Sequence, residues 1–584
     1  MHARIGKTMW YNMYVVFIIN NKMRTTLLSL AITLSLACRG FCGIAIEHAF
    51  ARGGQVFLHW SDTEAAERYR VYRSLSEITT ANLDQAELVA DKVLPGSAKD
   101  TTATYVETIN NRPDPNIGLR IQDLGPTLNP ADALWVHTVQ VEGSYYYAVT
   151  RVANGGQEDR TIYAGQNSLA QPVLQAIGPV VPVLESTGTL SGNYAYKNYI
   201  WYRRNTECLR EGHHTKFTVT TTPGYNPSGS YPTVLFLHHY GHYNTPLGWY
   251  GWITISPCNY NSFLPNRGND WWYGCCDQYP TVTSGTVVNY TERYLLALVD
   301  WVKANYAVNT NRVYLQGGSM GGTGSVSFGL RHPEVFAAIR ATVPQVNPKL
   351  LESGFRSHFA MIWGNADTNL PSSDDGGVWD RMNSAAYAAS HSEDLPFLKV
   401  ENSKNDFILP WTQIPQFYRA LNNSRHGFIS AWGQGGHGQS STGLPGEYLS
   451  WDVFAKVVRN SSYVVVSNSS ANDDPGNGDV LDGDPVGQMN CGYDWTIQAD
   501  TPQEWKARIR YTPGRSVRAD ISARRLQQFQ FTQGQQLNYL LEDEATHATI
   551  ASGTVSAERD NFFVIPQLPF DGTNRILRVS LSSP

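Results

Sequence analysis

Arg312-Val313-Tyr314-Leu315-Gln316-Gly317-Gly318-Ser319-Met320-Gly321-Gly322 decides the reading of this chain. The apolar run Val313 to Leu315 reads as a buried strand, the glycines as a tight turn, and the residues after Ser319 as the start of a helix. Glycines flank the serine because a strained strand-to-helix turn leaves no room for side chains on either side. Such a turn lifts the serine hydroxyl clear of the sheet, as in a nucleophile elbow. The helix N-terminus brings partial positive charge to where an oxyanion would form. No lysine follows the glycines, as a phosphate-binding loop would require. Ser319 is therefore the candidate nucleophile.

Outward from this turn, strand and helix signals alternate. Pro232 to Gly241 (PTVLFLHHYG) reads as a buried strand running into a loop. Tyr290 to Tyr306 is an amphipathic helix with Leu295, Leu298, Val299 and Val302 on its apolar stripe. Val335 to Pro344 and Leu395 to Asp406 read as further strands. WTQIPQFYRALNN reads as a helix, and GFISAWGQGGHG as a last strand ending in a loop. Alternation of this kind implies an α/β fold with a mostly parallel sheet and right-handed crossovers.

Between Tyr231 and about Val458 these motifs resemble the α/β-hydrolase superfamily, especially its secreted serine esterases and the catalytic domains of prolyl-oligopeptidase-like enzymes. The resemblance implies a triad in the order Ser, acid, His. Gly435-Gly436-His437-Gly438 is similar to that family's terminal histidine loop, which makes His437 the general base. The hydroxyl is a poor nucleophile unless an imidazole takes its proton. Asp406, after the strand that precedes the histidine strand, is the first choice for the acid. Asp367, after the apolar run Phe359 to Trp363, is the alternative. His238-His239-Tyr240-Gly241 resembles the family's His-Gly-x-Gly turn, with His239 where glycine is usual. By position, the resemblance implies oxyanion donors at the backbone N–H groups of Tyr240 and Met320.

An aromatic-rich insertion follows this turn. Trp252, Trp271, Trp272 and Tyr273 within it are the candidate substrate-binding rings, since aromatic faces stack on sugars or aromatic acyl groups. Packing against one another is the competing reading. Cys208, Cys258, Cys275 and Cys276 would supply one or two disulfides in an oxidising compartment.

The flanks read as β-rich. Gly54 to Trp60, Tyr69 to Ser74 and Gly143 to Val152 alternate with period two, which indicates an antiparallel sheet with one buried face. Trp60, Tyr-Arg-Val-Tyr-Arg and Tyr-Tyr-Tyr-Ala-Val-Thr resemble a fibronectin type III domain. Arg24 followed by Leu27 to Ala37 (LLSLAITLSLA) is a signal-peptide pattern with translation starting at Met23. The expected organisation is a signal region over 1–45, a fibronectin III-like β-sandwich over 46–175, a hydrolase domain over 176–470, a polar linker over 471–486 and a β-rich domain over 487–584.

A net charge of −5 over 584 residues leaves no electrostatic footprint for nucleic acid. The expected function is a secreted serine hydrolase without metal or organic cofactor. Its substrate would be an ester borne by a polymer, or a small ester, with no membrane span in the mature chain. A prolyl-oligopeptidase-like peptidase and a non-catalytic polymer-binding protein are the alternatives.

Overall fold

The computed structural model describes residues 43–102, 117–265, 268–351, 354–439 and 442–582. Residues 1–42 of the expected signal region, with Cys38 and Cys42, lie outside the described residues, whereas Ile44 and Ala45 already belong to the first strand. No helix among the described residues is long and apolar enough to cross a membrane. The chain divides into two compact units.

The first unit holds residues up to Lys99 together with Leu128–Pro179. Strands β1 (Ile44–Arg52), β2 (Gln55–Asp62), β3 (Arg68–Ser74), β4 (Glu87–Val93), β5 (Ala133–Thr138), β6 (Gly143–Val152), β7 (Glu158–Asp159) and β8 (Val173–Gln175) form two antiparallel sheets. One has the order β1-β2-β5; the other has the order β4-β3-β6-β7, with β8 on β6. Val56, Leu58, Trp60, Tyr69, Val71, Tyr147 and Val149 share the core, and Trp60 meets Tyr69 edge-on at 5.3 Å. The period-two pattern predicts an exposed polar face for β2. Instead its residues Gln55 to Trp60 are all buried. His59 is accommodated because its Nε2–H donates to Asp132.

The second unit holds Asp100–Thr127 and Val180–Pro584. Its main sheet begins with β9 (Val183–Leu190), β10 (Tyr194–Tyr202), β11 (His214–Thr221), β12 (Tyr231–Leu237) and β13 (Ile253–Pro257). A short hairpin, β14 (Cys275–Cys276) with β15 (Val287–Val288), follows. Then come α1 (Tyr290–Asn305), β16 (Val308–Gly318), α2 (Met320–Gly329), β17 (Ala338–Thr342), α3 (Gly354–Trp363), α4 (Ser384–Ser390), β18 (Phe397–Ser403), α5 (Ile414–Asn423) and β19 (Phe428–Gly433). Two short helices, α6 (Gly446–Ser450) and α7 (Val453–Lys456), precede β20 (Tyr463–Ser467) and β21 (Gly487–Met489).

The sheet order is β21-β19-β18-β17-β16-β12-β13-β11-β10-β9. Only the six central strands, from β19 to β13, run parallel. The edges β9, β10, β11 and β21 are antiparallel to their neighbours. The expectation of a mostly parallel sheet thus applies to the centre, where crossover helices follow the strands.

A parallel sheet is stable only when both faces are covered. One face, carrying Leu235, Leu315, Ile339 and Leu398, packs against Leu295, Leu298 and Val302 of α1 and against Phe417 and Leu421 of α5. The other face, carrying Val234, Tyr314, Ala338 and Phe397, packs against Phe454 of α7 and a set of β-strands. These strands are β20 with β22 (Tyr493–Asp500), β23 (Glu504–Tyr511), β24 (Val517–Arg524), β25 (Gln536–Asp543), β26 (Thr549–Ser556), β27 (Ile565–Phe570) and β28 (Arg575–Leu581). They build a three-stranded sheet, β20-β24-β27, and a five-stranded one, β22-β23-β28-β25-β26. Trp505, Ile521, Leu537 and Leu577 belong to one apolar cluster with the strands of the main sheet. Arg525 reaches across to donate to the carbonyls of Phe336 and Ala337, at 3.1 Å each. The sequence shows these strands as a separate region; the structure makes them the second cover of the sheet.

Candidate active site

Ser319 stands between the end of β16 and the start of α2, with φ 54° and ψ −121°. A non-glycine residue in such a region costs of the order of 1–3 kcal/mol. The surroundings hold it there. Its N–H donates to the Thr342 carbonyl at 2.8 Å. A Cβ on Gly317 would lie 2.3 Å from the Gly321 carbonyl oxygen, and one on Gly321 would lie 2.0 Å from that of Leu237. The two glycines are therefore required by backbone contact. All ten residues of α2 are buried, four of them glycine. Tertiary packing rather than helix propensity forms this element.

Three side chains distant in sequence converge at this end of the sheet. His437, in the turn after β19, places Nε2 2.8 Å from Ser319 Oγ. Its Nδ1 lies 2.6 Å from Asp406 Oδ2. With the Nδ1 proton donated to the carboxylate, the Nε2 lone pair faces the serine hydroxyl. Asp406 Oδ1 accepts from the N–H groups of Ile408 and Leu409, at 2.9 and 3.0 Å. These bonds fix the carboxylate, whose side chain is 1% exposed, while that of His437 is 23% exposed. Asp367 is not brought to this place. The run Phe359 to Trp363 before it is helical, the end of α3, and Asp367 is exposed on the loop beyond.

The loop after β12 is shaped by His238. Its Nδ1–H donates to the His239 carbonyl at 2.9 Å, and its Nε2 accepts from Asn259 N–H at 2.9 Å. Burial pushes its pKa down to about 3, so it is a neutral strut with both nitrogens used. No nitrogen of His238 is left over for a metal ion. Trp272 donates to the His238 carbonyl at 3.3 Å, and its ring lies where a Cβ on Gly324 of α2 would be. Tyr240 follows on this loop, its ring edge-on to Phe355 at 5.4 Å. Met320 is the first residue of α2, where N–H groups have no acceptor within the helix.

The four candidate substrate rings are corrected by their burial. Trp271, Trp272 and Tyr273 are each at most 1% exposed. Trp271 packs on Phe359 and Phe355, and Tyr273 donates to Asp374 beneath the Arg381 guanidinium. Trp252 precedes β13, at the opposite end of the strands, against Trp249, Tyr314 and Phe454. None offers a free face beside Ser319. Trp271 and Trp272 hold φ values of 56° and 68°, outliers for bulky residues that buttress the turn rather than line a pocket. The expected disulfides are absent as well. Cys208, Cys258, Cys275, Cys276 and Cys491 are free and buried, and burial pushes the Cys258 thiol up to about 12.

Sequence reasoning missed the support behind Asp406. Lys404 Nζ donates to the Asp482 carbonyl at 2.6 Å. Trp411 and Trp432 donate to the carbonyls of Pro475 and Asp484, at 3.2 and 2.9 Å. The segment 471–486 is therefore fastened against the acid loop and is no free spacer. Its polar composition is that of a linker, so no local signal marks this role. Two apolar side chains stand out at this end: Phe407 beside the acid is 77% exposed, and Leu481 in the fastened segment is 90% exposed.

Residues 212–409 match the Esterase family model, described as "Putative esterase". No curated protein sequence matches the chain. Among solved structures, an S-formylglutathione hydrolase from Agrobacterium tumefaciens is 14% identical, covering 44% of this chain and 92% of that chain, with a TM-score of 0.34. The Staphylococcus aureus fluorophosphonate-binding serine hydrolase FphF is 19% identical, covering 42% and 92%, with a TM-score of 0.31. A prolyl endopeptidase is 13% identical, covering 67% and 56%, with a TM-score of 0.32.

Proposed function

We propose that this chain is a serine hydrolase that cleaves carboxylic esters, with Ser319 as nucleophile, His437 as general base and Asp406 as orienting acid. The observation that carries the reading is the unbroken Ser319–His437–Asp406 hydrogen-bond chain, 2.8 and 2.6 Å, on a serine held at positive φ. The match of residues 212–409 to an esterase family supports it.

In this reading, Ser319 Oγ attacks the ester carbonyl and its proton passes to His437 Nε2. The carboxylate of Asp406 stays ionised and stabilises the imidazolium. The oxyanion is held by backbone N–H groups, those of Met320 and Tyr240 being the candidates. Collapse of the tetrahedral intermediate expels the alcohol, which takes the proton from His437. Water then attacks the acyl-enzyme by the same route in reverse, returning the acid and the free serine. No cofactor is required by these steps.

The proposed substrate is an ester carried on a polymer. Exposed Phe407 and Leu481 at the acid end of the sheet favour contact with an extended surface. Export is proposed from the apolar run Leu27 to Ala37, and cleavage after it is checked by N-terminal sequencing of secreted protein. Turnover of p-nitrophenyl acetate against a prolyl p-nitroanilide, with Ser319→Ala as control, tests the activity. Ester turnover lost about 10⁵–10⁶-fold in the variant is expected. Amide turnover alone would make the enzyme a peptidase, and no turnover of either would end the catalytic reading.

A further inference from the structure

The first unit carries a cluster of side chains that the ester chemistry does not use. His48 on β1 and His59 on β2 are cross-strand neighbours, and the register breaks between Ile46 and His48. Glu47 is the extra residue of this β-bulge. A bulge re-aims side chains that regular pleating would send to opposite faces. Here it brings Glu47 and His48 to the same point beside His59.

The ligand atoms converge. His48 Nδ1 and His59 Nδ1 are 3.1 Å apart. Glu47 Oε2 lies 3.9 Å from His59 Nδ1. All three residues offer a ligand atom within 4.8 Å of one another. Around a tetrahedral zinc ion, with bonds of about 2.0–2.2 Å, neighbouring ligand atoms sit about 3.3–3.5 Å apart. The observed separations bracket that value.

The remaining atom of two ligands is already held, in the manner of outer partners at metal centres. His59 Nε2 is 3.0 Å from Asp132 Oδ2, which turns the Nδ1 lone pair toward His48 and Glu47. Asp132 is itself fixed by Asn129 at 3.0 Å. Glu47 Oε1 accepts from Ser61 Oγ at 2.8 Å, which leaves Oε2 toward the imidazoles. A plain imidazole pair accounts for the 3.1 Å contact but not for the third lone pair aimed at it. His59 is buried, His48 half-buried and Glu47 exposed, so an ion can reach the site from solvent.

We infer that Glu47, His48 and His59 bind one zinc(II) ion, with a solvent oxygen as fourth ligand and Asp132 orienting His59. The ion ties β1 to β2 within the first unit. Nothing in the sequence announces it, because the two histidines lie eleven positions apart across a hairpin and only the bulge unites them.

The test uses the full chain, stripped with a chelator and titrated with zinc chloride against a chromophoric zinc indicator. One equivalent is expected to bind tightly, with a rise in melting temperature. His48→Ala and the surface variant Glu47→Gln are each expected to weaken binding at least tenfold. Asp132→Asn is expected to weaken it about 10–100-fold, with p-nitrophenyl acetate turnover unchanged in all three. The absence of a saturable equivalent, or zinc affinity in His48→Ala and Glu47→Gln equal to that of the parent, would overturn the inference.

Discussion

The loops around Asp406 and Asp367 look alike in sequence and differ in everything that matters for chemistry. Each aspartate follows an apolar run, and each stands shortly before a Leu-Pro pair. The run before Asp406 is β18, and its C-terminal end lies at the same end of the parallel strands as those of β16 and β19. The run before Asp367 is the last turn of α3, which ends elsewhere. One carboxylate is buried and accepts from two backbone N–H groups and from an imidazole. The other is exposed. Whether a carboxylate can orient a histidine is thus set by the element that delivers it.

The strongest way to break this contrast is to exchange the effects of the two residues. Asp406→Asn is expected to lower kcat on p-nitrophenyl acetate about 10³–10⁴-fold, since the amide would favour the wrong imidazole tautomer. Asp367→Asn is expected to stay within about twofold. Equal losses in the two variants would refute the assignment. A smaller effect sharpens the difference. Lys404 is buried behind the Asp406 loop and ties it to segment 471–486. Lys404→Met should lower kcat about tenfold with KM little changed, because small misplacements at the reacting centre cost rate. A change confined to KM would mean that the loop serves binding instead.

The Asp367 side should register in stability rather than rate. His358 on α3 donates from Nε2 to the Asn269 carbonyl at 3.1 Å, and its Nδ1 accepts from Trp271 at 3.4 Å. Burial lowers its pKa to about 4, against about 6.5 in the unfolded chain. The unfolded chain therefore takes up the proton first as pH falls. The stabilisation is complete above about pH 6.5 and is lost progressively toward pH 4. Melting temperatures from pH 7 to 4 should fall less steeply in His358→Gln than in the parent. Parallel curves would remove His358 from the account.

These loops also show what a sequence can disclose. The turn at Ser319 is legible because its strain is written locally, in glycines at 317 and 321 that backbone contacts require. His437 and Asp406 are legible because each follows a strand whose apolar pattern is plain. The aromatic insertion is not, since Trp271 and Trp272 look identical in sequence whether they face solvent or pack on α3 and α2. The cysteines are equally silent, because pairing depends on where chains cross. The role of residues 487–584 is hidden for a related reason: period two identifies strands but not what they cover.

The shared apolar cluster linking Tyr314 and Ala338 to Trp505 and Leu577 has a consequence for biosynthesis. The strand that presents Ser319 leaves the ribosome long before β28 exists. At roughly 5–20 residues per second, its uncovered face must wait roughly 10–50 seconds for the end of the chain. A stop codon soon after residue 470 would leave every reacting group encoded and the sheet beneath them half bare. The last hundred residues are therefore the ones that close the second face of the sheet.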